Sequence, residues 1–292
     1  MPKITKAIIA AAGYGTRFLP ATKVQPKEML PIIDKPIIQY LVEEAVASGI
    51  TDIVIITRAG LHAVEDHFDS TFEIEHQLMA NNKTALLKKL QKIPQMANFI
   101  YLRQTKDFPY GNGAPLLVAS DLIGKGESFV YMFGDDLVKS KIPATKQLIS
   151  VWRKNPGAIV AAVQEVPEGE VSRYGIIKFK KGSQSRIEGI VEKPNSAEAP
   201  SNLAQFGRFI LNQGVIDILA EKRLGKGGEL WLADAITRYA KEHKAVIAKI
   251  EGQWYTTGDP LRYMKAMVEF ALDRPDFGKE FKRYLQSLKL EK

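Results

Sequence analysis

Apolar and polar positions along the chain follow a pattern typical of repeated βα units. In the first half, the short apolar runs are continuous rather than alternating, which indicates strands buried on both faces. These predicted strands are 6–11, 52–57, 98–104, 128–133 and 158–166. Helices are predicted between them, where apolar residues recur every three or four positions: 36–48, 61–68, 73–93, 114–122 and 144–155. The pattern predicts a mostly parallel sheet with helices on both faces and right-handed crossovers.

The second half has shorter apolar runs with turn residues between them, which resembles a meander more than βαβ units. Strands are predicted at 174–180, 186–194, 203–211 and 245–252, and helices at 214–222, 230–243, 261–272 and 277–288. No linker rich in serine, glycine or proline separates the halves, and no repeat of about 20 to 50 residues is visible. We therefore predict one elaborated α/β domain over 1–292, whose second half faces a substrate.

Composition limits the classes of protein to consider. Hydrophobic residues make up 45% and charged residues 25% of the chain, as in ordinary soluble proteins, and no apolar run approaches the roughly 18 residues of a membrane span. The cationic N-terminus resembles that of a signal peptide, but glycines and Arg17 follow at once and favour a first strand. The absence of cysteine excludes disulfides, thiolate zinc sites and cysteine nucleophiles. We expect a cytoplasmic protein without a membrane partner.

The net charge of +8 suits anionic ligands, but the lysines and arginines are scattered and no nucleic-acid-binding motif occurs. A solvated basic surface or an anionic substrate is therefore favoured over a nucleic-acid partner. The four histidines show no HExxH spacing, so a histidine-based metal site is not expected.

The segment 8–31, "IIAAAGYGTRFLPATKVQPKEMLP", has the composition of a phosphate-binding loop. It lacks the Gly-Lys-Ser/Thr of a Walker A motif. It also departs from the dinucleotide fingerprint, because Phe18 stands where the third glycine belongs and Pro20 follows. What remains is a glycine-rich turn whose backbone N–H groups can face a phosphate.

Cationic side chains strengthen that interpretation. Arg17 offers a two-pronged anion contact and Lys27 a point charge, while Thr16 adds a hydroxyl. The alternative is a plain βα turn with surface cations. The three residues together favour phosphate binding.

Further candidates follow other predicted strands. Asp135 and Asp136 come directly after strand 128–133, at the sheet edge where ligands bind in such folds. A carboxylate there suits Mg²⁺, which takes one or two carboxylates together with phosphate oxygens and water. A pair of turn-forming aspartates is an equally open alternative. "YGNGAP" (110–115) and "VEKP" (191–194) are weak signals alone, the second being typical of an exposed ion pair.

Taken together, these segments resemble the sugar-nucleotide pyrophosphorylase family, and within it the bacterial branch that uses UTP and glucose 1-phosphate. The resemblance covers nearly the whole chain and rests on G-x-G-T-R followed by P-K-E-M-L-P. "PKEMLPIIDKPIIQYLVEEAVASGI", "EDHFD", "GNG", "YGII", "VEKP", "PSNLAQFGRFIL" and "ADAI" occur in the family's order. The longest segment is highly specific, whereas "GNG" or "ADAI" alone has no value.

The resemblance implies a three-layer α/β/α Rossmann-like nucleotidyltransferase fold with a mixed, mostly parallel central sheet. It implies a nucleotide-binding half over about 1–160, a sugar-phosphate-binding half over about 161–260, and C-terminal helices over 261–292. The implied reaction transfers a uridylyl group from UTP to glucose 1-phosphate and releases pyrophosphate, with Mg²⁺ as cofactor. The implied assembly is a homo-oligomer, a dimer or tetramer, with no nucleic-acid or membrane partner.

The resemblance also implies residue roles. Arg17 would steady the leaving pyrophosphate, Lys27 would offset charge at the reacting phosphoryl group, and Asp135 would hold Mg²⁺. The implied nucleotide-binding residues are Ala11, Ala12, Gly13, Gly15, Thr16, Gln104, Gly111 and Gly113. The implied sugar-phosphate-binding residues are Gly175, Glu192 and Lys193, and Lys193 is also counted as catalytic.

The sequence departs from the family pattern at several positions. Thr256 stands where the family's D-x-G motif has an acidic residue, commonly a second Mg²⁺ ligand. Asp136 or Asp259 is left open as a replacement. Ala114 and Gly228 also differ from the usual residues. Two alternative functions stay open: a thymidylyltransferase for the same sugar phosphate, and a weakly active regulatory paralogue.

Overall fold

The computed structural model describes residues 3–60 and 62–288. The strands are β1 (Lys6–Ala10), β2 (Pro31–Ile32), β3 (Lys35–Pro36), β4 (Asp52–Arg58), β5 (Asn98–Gln104), β6 (Ser128–Phe133), β7 (Asp136–Lys139), β8 (Ile159–Glu165), β9 (Gly175–Phe179), β10 (Ile187–Glu192), β11 (Leu203–Asn212), β12 (Ala245–Lys249) and β13 (Gln253–Thr256). The α-helices are α1 (Ile37–Ala47), α2 (Ala63–His67), α3 (Phe72–Ala80), α4 (Thr84–Gln91), α5 (Ala114–Val118), α6 (Ala144–Arg153), α7 (Gln213–Ala220), α8 (Leu232–Glu242), α9 (Pro260–Leu272) and α10 (Gly278–Ser287).

A nine-stranded sheet runs through both halves of the chain, with β10-β9-β11-β6-β1-β4-β5 as its main path. Strands β6, β1, β4 and β5 are mutually parallel, as the βα pattern predicts. Strand β11 is antiparallel to its neighbours β6, β8 and β9, and β12 extends the sheet by pairing parallel to β8. The mixed sheet expected from the sequence is confirmed.

Helices cover both faces of the sheet because successive strand residues point to opposite sides. In β1, Ala7 and Ile9 pack in one buried cluster with residues of α1, α6 and α9. Ile8 packs in a second cluster with residues of α5, α7 and α8. This arrangement explains the continuous apolar runs, since each strand needs apolar side chains on both faces.

Several predicted helices have different bounds. The single helix predicted over 73–93 is wrong: α3 and α4 are separate, and Asn82 between them has a φ of 56°, which no α-helix accommodates. The helix predicted over 114–122 is α5 followed by a 3₁₀ turn, Ser120–Leu122. Helix α2 begins at Ala63, and the predicted start at Leu61 lies outside the described residues, as do residues 1–2 and 289–292 of the predicted domain.

A two-stranded sheet of β7 and β13 was missed by the sequence pattern, because both strands are only four residues long. It pairs Asp136 with Thr256 and Leu137 with Tyr255. The C-terminal part of the chain is thereby fixed next to the end of β6, where the candidate carboxylates lie. Within residues 3–60 and 62–288, none of the helices is both long and apolar enough to span a membrane.

Candidate active site

Two adjoining cavities open at the carboxyl ends of the central strands. The loop-side cavity, about 350 Å³, lies beside the segment that follows β1. The sheet-side cavity, about 440 Å³, lies over β9, β10 and β11. Six residues line both cavities: Arg17, Asn112, Phe133, Asp135, Lys193 and Trp231. The two cavities therefore form one cleft with Asp135 at the junction.

The loop after β1 folds without an α-helix. Gly15 adopts a left-handed φ of 64°, which glycine reaches without steric cost, and three 3₁₀ turns follow: Thr16–Phe18, Ala21–Lys23 and Lys27–Met29. The hydroxyl of Thr22 donates to the carbonyl of Gly15 at 2.8 Å and closes the loop. Arg17 donates through Nη1 to the carbonyl of Gly258 at 3.1 Å, so its guanidinium crosses the cleft to the segment after β13.

Lys27 and Asp135 form an ion pair at the centre of the cleft, with Lys27 Nζ 2.5 Å from Asp135 Oδ2. Burial alone would lower the pKa of Lys27, but the negative charges of Asp135 and Glu28 outweigh it and raise that pKa above its ordinary value. Burial would raise the pKa of Asp135, but Lys27 lowers it below the usual range. Both groups are therefore charged at neutral pH.

Asp136 lines the sheet-side cavity, and both of its carboxylate oxygens are hydrogen-bonded to neighbouring groups of the protein. Its Oδ1 accepts from Trp254 Nε1 at 2.7 Å, and its Oδ2 accepts from the backbone N–H of Gly207 at 2.9 Å. Burial and the neighbouring charge of Asp135 raise the pKa of Asp136 to about 6. Since both oxygens already accept hydrogen bonds, Asp136 acts as a structural anchor of this turn.

A buried ion pair supports the same turn from behind. Arg208, fully buried in β11, binds Glu44 of α1 through Nε at 3.0 Å and Nη2 at 2.9 Å. Arg208 Nη2 also donates to the carbonyl of Asp136 at 2.7 Å. On the other side, Thr257 donates to the carbonyl of Asp135 through its N–H at 2.7 Å and its hydroxyl at 2.9 Å. The backbone that carries Asp135 is thus held from both sides.

The nucleotide-binding residues expected from the sequence take two kinds of position. Ala12, Gly13, Gln104 and Gly111 line the loop-side cavity. Within the described part of the chain, four of the expected nucleotide-binding residues line neither cavity: Ala11, Gly15, Thr16 and Gly113.

Two of those four have other structural tasks. The N–H of Ala11 donates to the carbonyl of Ile56 and extends the sheet. Gly113 packs closely on helical neighbours, since a Cβ there would come 2.7 Å from a side-chain atom of Leu219. Their predicted nucleotide contacts stay predictions.

The sugar-phosphate residues expected from the sequence lie together in the sheet-side cavity: Gly175, Glu192 and Lys193. Lys193 has a left-handed φ of 47°, and its Nζ lies 4.8 Å from the ring centroid of Trp231. Burial raises the pKa of Glu192, although the nearby charge of Lys193 opposes the shift. This end of the cleft therefore presents an ammonium group and a carboxyl group side by side.

A family model described as "Nucleotidyl transferase" matches residues 6–272. The chain belongs to the nucleotidyl transferase family.

Relatives with assigned names agree with one another. A UTP–glucose-1-phosphate uridylyltransferase of Staphylococcus epidermidis is 44% identical to this nucleotidyl transferase over 290 residues, with 99% of each chain covered. A UDP-glucose pyrophosphorylase structure from Acinetobacter baumannii superposes with a TM-score of 0.89 at 34% identity, covering 98% of this chain and 100% of the other. A UDP-glucose pyrophosphorylase complexed with UDP-glucose gives a TM-score of 0.83 at 37% identity, covering 93% and 100%. The family resemblance and the fold expected from the sequence are confirmed.

Nucleotidyl transferases generally use a divalent metal ion, and Asp135 is one of several carboxylates that line the cleft. Asp135 lies at the junction of the two cavities, whereas Asp259 caps α9 and pairs with Arg262 at 3.1 Å. In the part of the chain that the structure describes, no group of three or more acidic or histidine side chains is arranged to hold a metal ion. The site fits a hard cation that completes its ligand shell with phosphate oxygens and water.

Thr256 lies beside this carboxylate. A Cβ placed on Gly258 would be 2.7 Å from Asp135 Oδ2 and 3.6 Å from Thr256 Oγ1, so both groups flank the same point. The nucleotidyl transferase therefore presents a neutral hydroxyl next to Asp135 at this position. Asp136 and Asp259 also line the sheet-side cavity, and their oxygens accept hydrogen bonds from Trp254, Gly207 and Arg262. Their role as a second carboxylate ligand stays a prediction.

Sequence reasoning missed several residues of the cleft. Trp231 lines both cavities. The side chain of Asn112 accepts from the N–H of Leu232 at 2.8 Å and so joins the segment 110–115 to the start of α8. Glu28 is buried beneath Lys27, and burial raises its pKa to about 7. Gln205 had a usable signal: it is a polar residue within the apolar run 203–211. Trp231 had none, since tryptophan before a helix is unremarkable.

Proposed function

We propose that this chain transfers the uridylyl group of UTP to glucose 1-phosphate and releases pyrophosphate, with Mg²⁺ as the metal ion. The observation that carries the proposal is the position of the Lys27–Asp135 pair, at the junction of a cavity lined by Gly13 and Gln104 and a cavity lined by Glu192. Two substrates bound in these cavities would meet at that pair. The relatives named above support the choice of UTP and a glucose phosphate.

The chemistry is a direct displacement at phosphorus. A phosphate oxygen of glucose 1-phosphate forms a bond to the α-phosphorus of UTP, and the bond from that phosphorus to the bridging oxygen breaks. Pyrophosphate leaves with the bonding electron pair. Such a transfer requires alignment and neutralisation of charge more than a covalent intermediate. The absence of cysteine in the sequence agrees with that requirement.

Each group of this chain has a task in that reaction. The Lys27 ammonium, held charged by Asp135 and Glu28, neutralises the α-phosphate. Arg17 binds the leaving pyrophosphate with its planar guanidinium. Lys193 holds the phosphate of the sugar, and Glu192 accepts from sugar hydroxyls. Mg²⁺ bound at Asp135 would supply further charge neutralisation on the phosphates.

A substrate panel tests the proposal. Purified chain is mixed with glucose 1-phosphate, Mg²⁺ and either UTP or dTTP, and pyrophosphate release is followed continuously. We expect release that depends on both substrates and is faster with UTP. A preference for dTTP of about tenfold, roughly 1.4 kcal/mol, would support the thymidylyltransferase alternative instead. Lys27→Met serves as the matched inactive control, because it removes the charge and keeps the chain length.

A second candidate function has one specific observation in its favour. Thr256 places a neutral hydroxyl, and not a carboxylate, beside Asp135. A chain that binds UTP and UDP-glucose but turns over slowly would act as a sensor of these ligands. Calorimetric binding of UDP-glucose without pyrophosphate release at micromolar enzyme would favour that function.

A further inference from the structure

Three neighbouring strands place three residues in one row across the floor of the sheet-side cavity. Gly175 of β9 is paired with Glu192 of β10 on one side and with Gln205 of β11 on the other. Directly opposed residues of antiparallel strands project to the same face of a sheet. Glu192 and Gln205 therefore flank a central position that has no side chain of its own.

The missing side chain leaves a space that polar atoms surround. A Cβ placed on Gly175 would lie 2.9 Å from Gln205 Nε2 and 2.9 Å from Glu192 Oε2. Gly175 does not have a positive φ, so the glycine is needed here for the space it leaves and not for an unusual backbone conformation. The space belongs to the same cavity that Lys193 and Asp135 line.

Both flanking side chains have unsatisfied acceptors. Gln205 is only 7% exposed, and its Oε1 is buried; Glu192 Oε2 is buried as well. Neither oxygen has a hydrogen-bond partner within residues 3–60 and 62–288. Gln205 Nε2 and Glu192 Oε2 border the space at Gly175, and both residues line the cavity. Buried polar atoms are almost always paired in folded proteins, so two unpaired acceptors in residues that line one cavity indicate a ligand that brings donors.

We propose that Gln205 binds a ring hydroxyl of the sugar phosphate, together with Glu192, and so helps to determine which sugar this chain accepts. The proposal rests on the proposed function, because it assigns the sugar to this cavity. A carboxamide both donates and accepts, whereas a carboxylate only accepts. Adjacent hydroxyls of a hexose match that pair, and a deoxy position offers nothing to it. Glu192 was expected from the sequence; Gln205 is the additional specificity-determining residue.

Kinetic comparison of variants tests the assignment. Gln205→Met keeps the length of the side chain and removes its hydrogen bonds, while Gln77→Leu on the exposed surface of α3 is the matched control. We expect Gln205→Met to lower kcat/KM for glucose 1-phosphate about tenfold or more, with the KM for UTP unchanged. The control leaves both parameters unchanged. If thermal unfolding shows that Gln205→Met does not fold, Gln205→Asn replaces it, because asparagine keeps the amide but is one methylene shorter.

Deoxy substrates locate the hydroxyl. The 2-, 3-, 4- and 6-deoxy analogues of glucose 1-phosphate are each compared in the natural chain and the variant. We expect one analogue for which the two proteins have equal kcat/KM, because the hydroxyl that Gln205 binds is already absent. If the ratio of kcat/KM between the natural chain and the variant were the same for all four analogues as for glucose 1-phosphate, the proposal would be overturned.

A binding measurement separates this inference from the proposed function. UDP and UDP-glucose are titrated calorimetrically into the natural chain and into Gln205→Met. We expect weaker binding of UDP-glucose and unchanged binding of UDP in the variant. Equal effects on both ligands, or no effect on either, would contradict the role of Gln205. A natural chain without pyrophosphate release fails the proposed function, yet this comparison still decides the role of Gln205.

Discussion

Lys27 and Asp135, 108 positions apart in the sequence, form a 2.5 Å ion pair where the two cavities of the cleft meet. The partner of the lysine comes from the turn after β6, and that turn is anchored by Asp136, Arg208 and Thr257 rather than by the lysine alone. The pair is therefore already in place before a substrate binds. Substrate phosphates and a metal ion would add to this preformed arrangement.

Removing the charge of Asp135 should abolish most activity. In Asp135→Asn the metal ion loses its anionic ligand and Lys27 loses its partner, so kcat should fall about 100-fold or more. Steady-state pyrophosphate release at saturating UTP measures the effect. Near-native turnover would refute the assignment of the metal ion to Asp135.

The neighbouring variant Asp136→Asn is the informative comparison. An asparagine keeps one acceptor, so either Trp254 or Gly207 loses its buried partner, at a cost of about 1–3 kcal/mol in the free energy of unfolding. We expect a lower thermal midpoint with a smaller loss of kcat than in Asp135→Asn. The two adjacent aspartates should thus separate into one catalytic and one structural effect.

A second carboxylate should fit at Thr256. Because its hydroxyl lies beside Asp135, Thr256→Asp should lower the Mg²⁺ concentration that gives half-maximal activity, by roughly several-fold. Activity measured across a Mg²⁺ titration provides the value, and Thr256→Ser is the control that retains the hydroxyl. A clear loss of Mg²⁺ affinity in the aspartate variant would show that this position does not face the metal ion.

The buried pair of Glu44 and Arg208 should make stability depend on pH in the acid range. Burial alone would raise the pKa of Glu44, but the charge and hydrogen bonds of Arg208 and the hydrogen bonds of Thr145 bring it below its ordinary value. A carboxyl with a lowered folded-state pKa stabilises fully above its unfolded pKa, about 4.3, and loses that contribution as pH falls through the folded value.

Glu44→Gln tests this dependence. The variant leaves Arg208 buried and unpaired, so it should destabilise by about 3–5 kcal/mol at pH 7. The difference from the natural chain should stay constant down to about pH 5 and shrink below about pH 4. Chemical unfolding at several pH values measures it. Glu188→Gln, which removes the exposed partner of Lys178, is the control and should cost less than about 1 kcal/mol.

A homo-oligomer, dimer or tetramer, remains our expectation for assembly. Some apolar residues of α9 are buried against the protein and others are exposed. Ala271 is buried and Met267 Sδ accepts from the N–H of Ile33, whereas Leu261 and Met264 are 66% and 55% exposed beside a groove of about 980 Å³. Light scattering on the purified chain should give at least twice the monomer mass, and Met264→Lys should reduce it. A monomer at tens of micromolar would contradict the expectation.

The sequence predicted the parts of this molecule that depend on regular patterns. Continuous apolar runs indicated β1, β4, β5 and β6, and glycines followed by cations indicated the loop around Arg17. The pattern failed at a local break in the backbone and at very short strands. The helical spacing over 73–93 continues through Asn82, whose left-handed backbone breaks the helix, and β7 and β13 are too short to leave a pattern.

The site shows the same division. Asp135 and Asp136 are equivalent in the sequence, since both follow the same strand. Their contacts distinguish them: Asp135 pairs with Lys27, whereas Asp136 accepts from Trp254 and Gly207. Gln205 faces the cavity because three strands from different parts of the second half align in register, which no local spacing shows. The positions of these polar side chains in the cleft therefore depend on the strand topology and cannot be inferred from the local sequence motifs alone.

The central claim is that one cleft joins UTP and a glucose phosphate at the Lys27–Asp135 pair. Phosphorus NMR of the purified chain with UTP, glucose 1-phosphate and Mg²⁺ tests it most directly, because every product is observed at once. We predict that UDP-glucose and pyrophosphate appear in equal amounts, and that neither forms with Lys27→Met. Release of UDP with inorganic phosphate, or no change in the UTP signals at micromolar enzyme, would contradict the account.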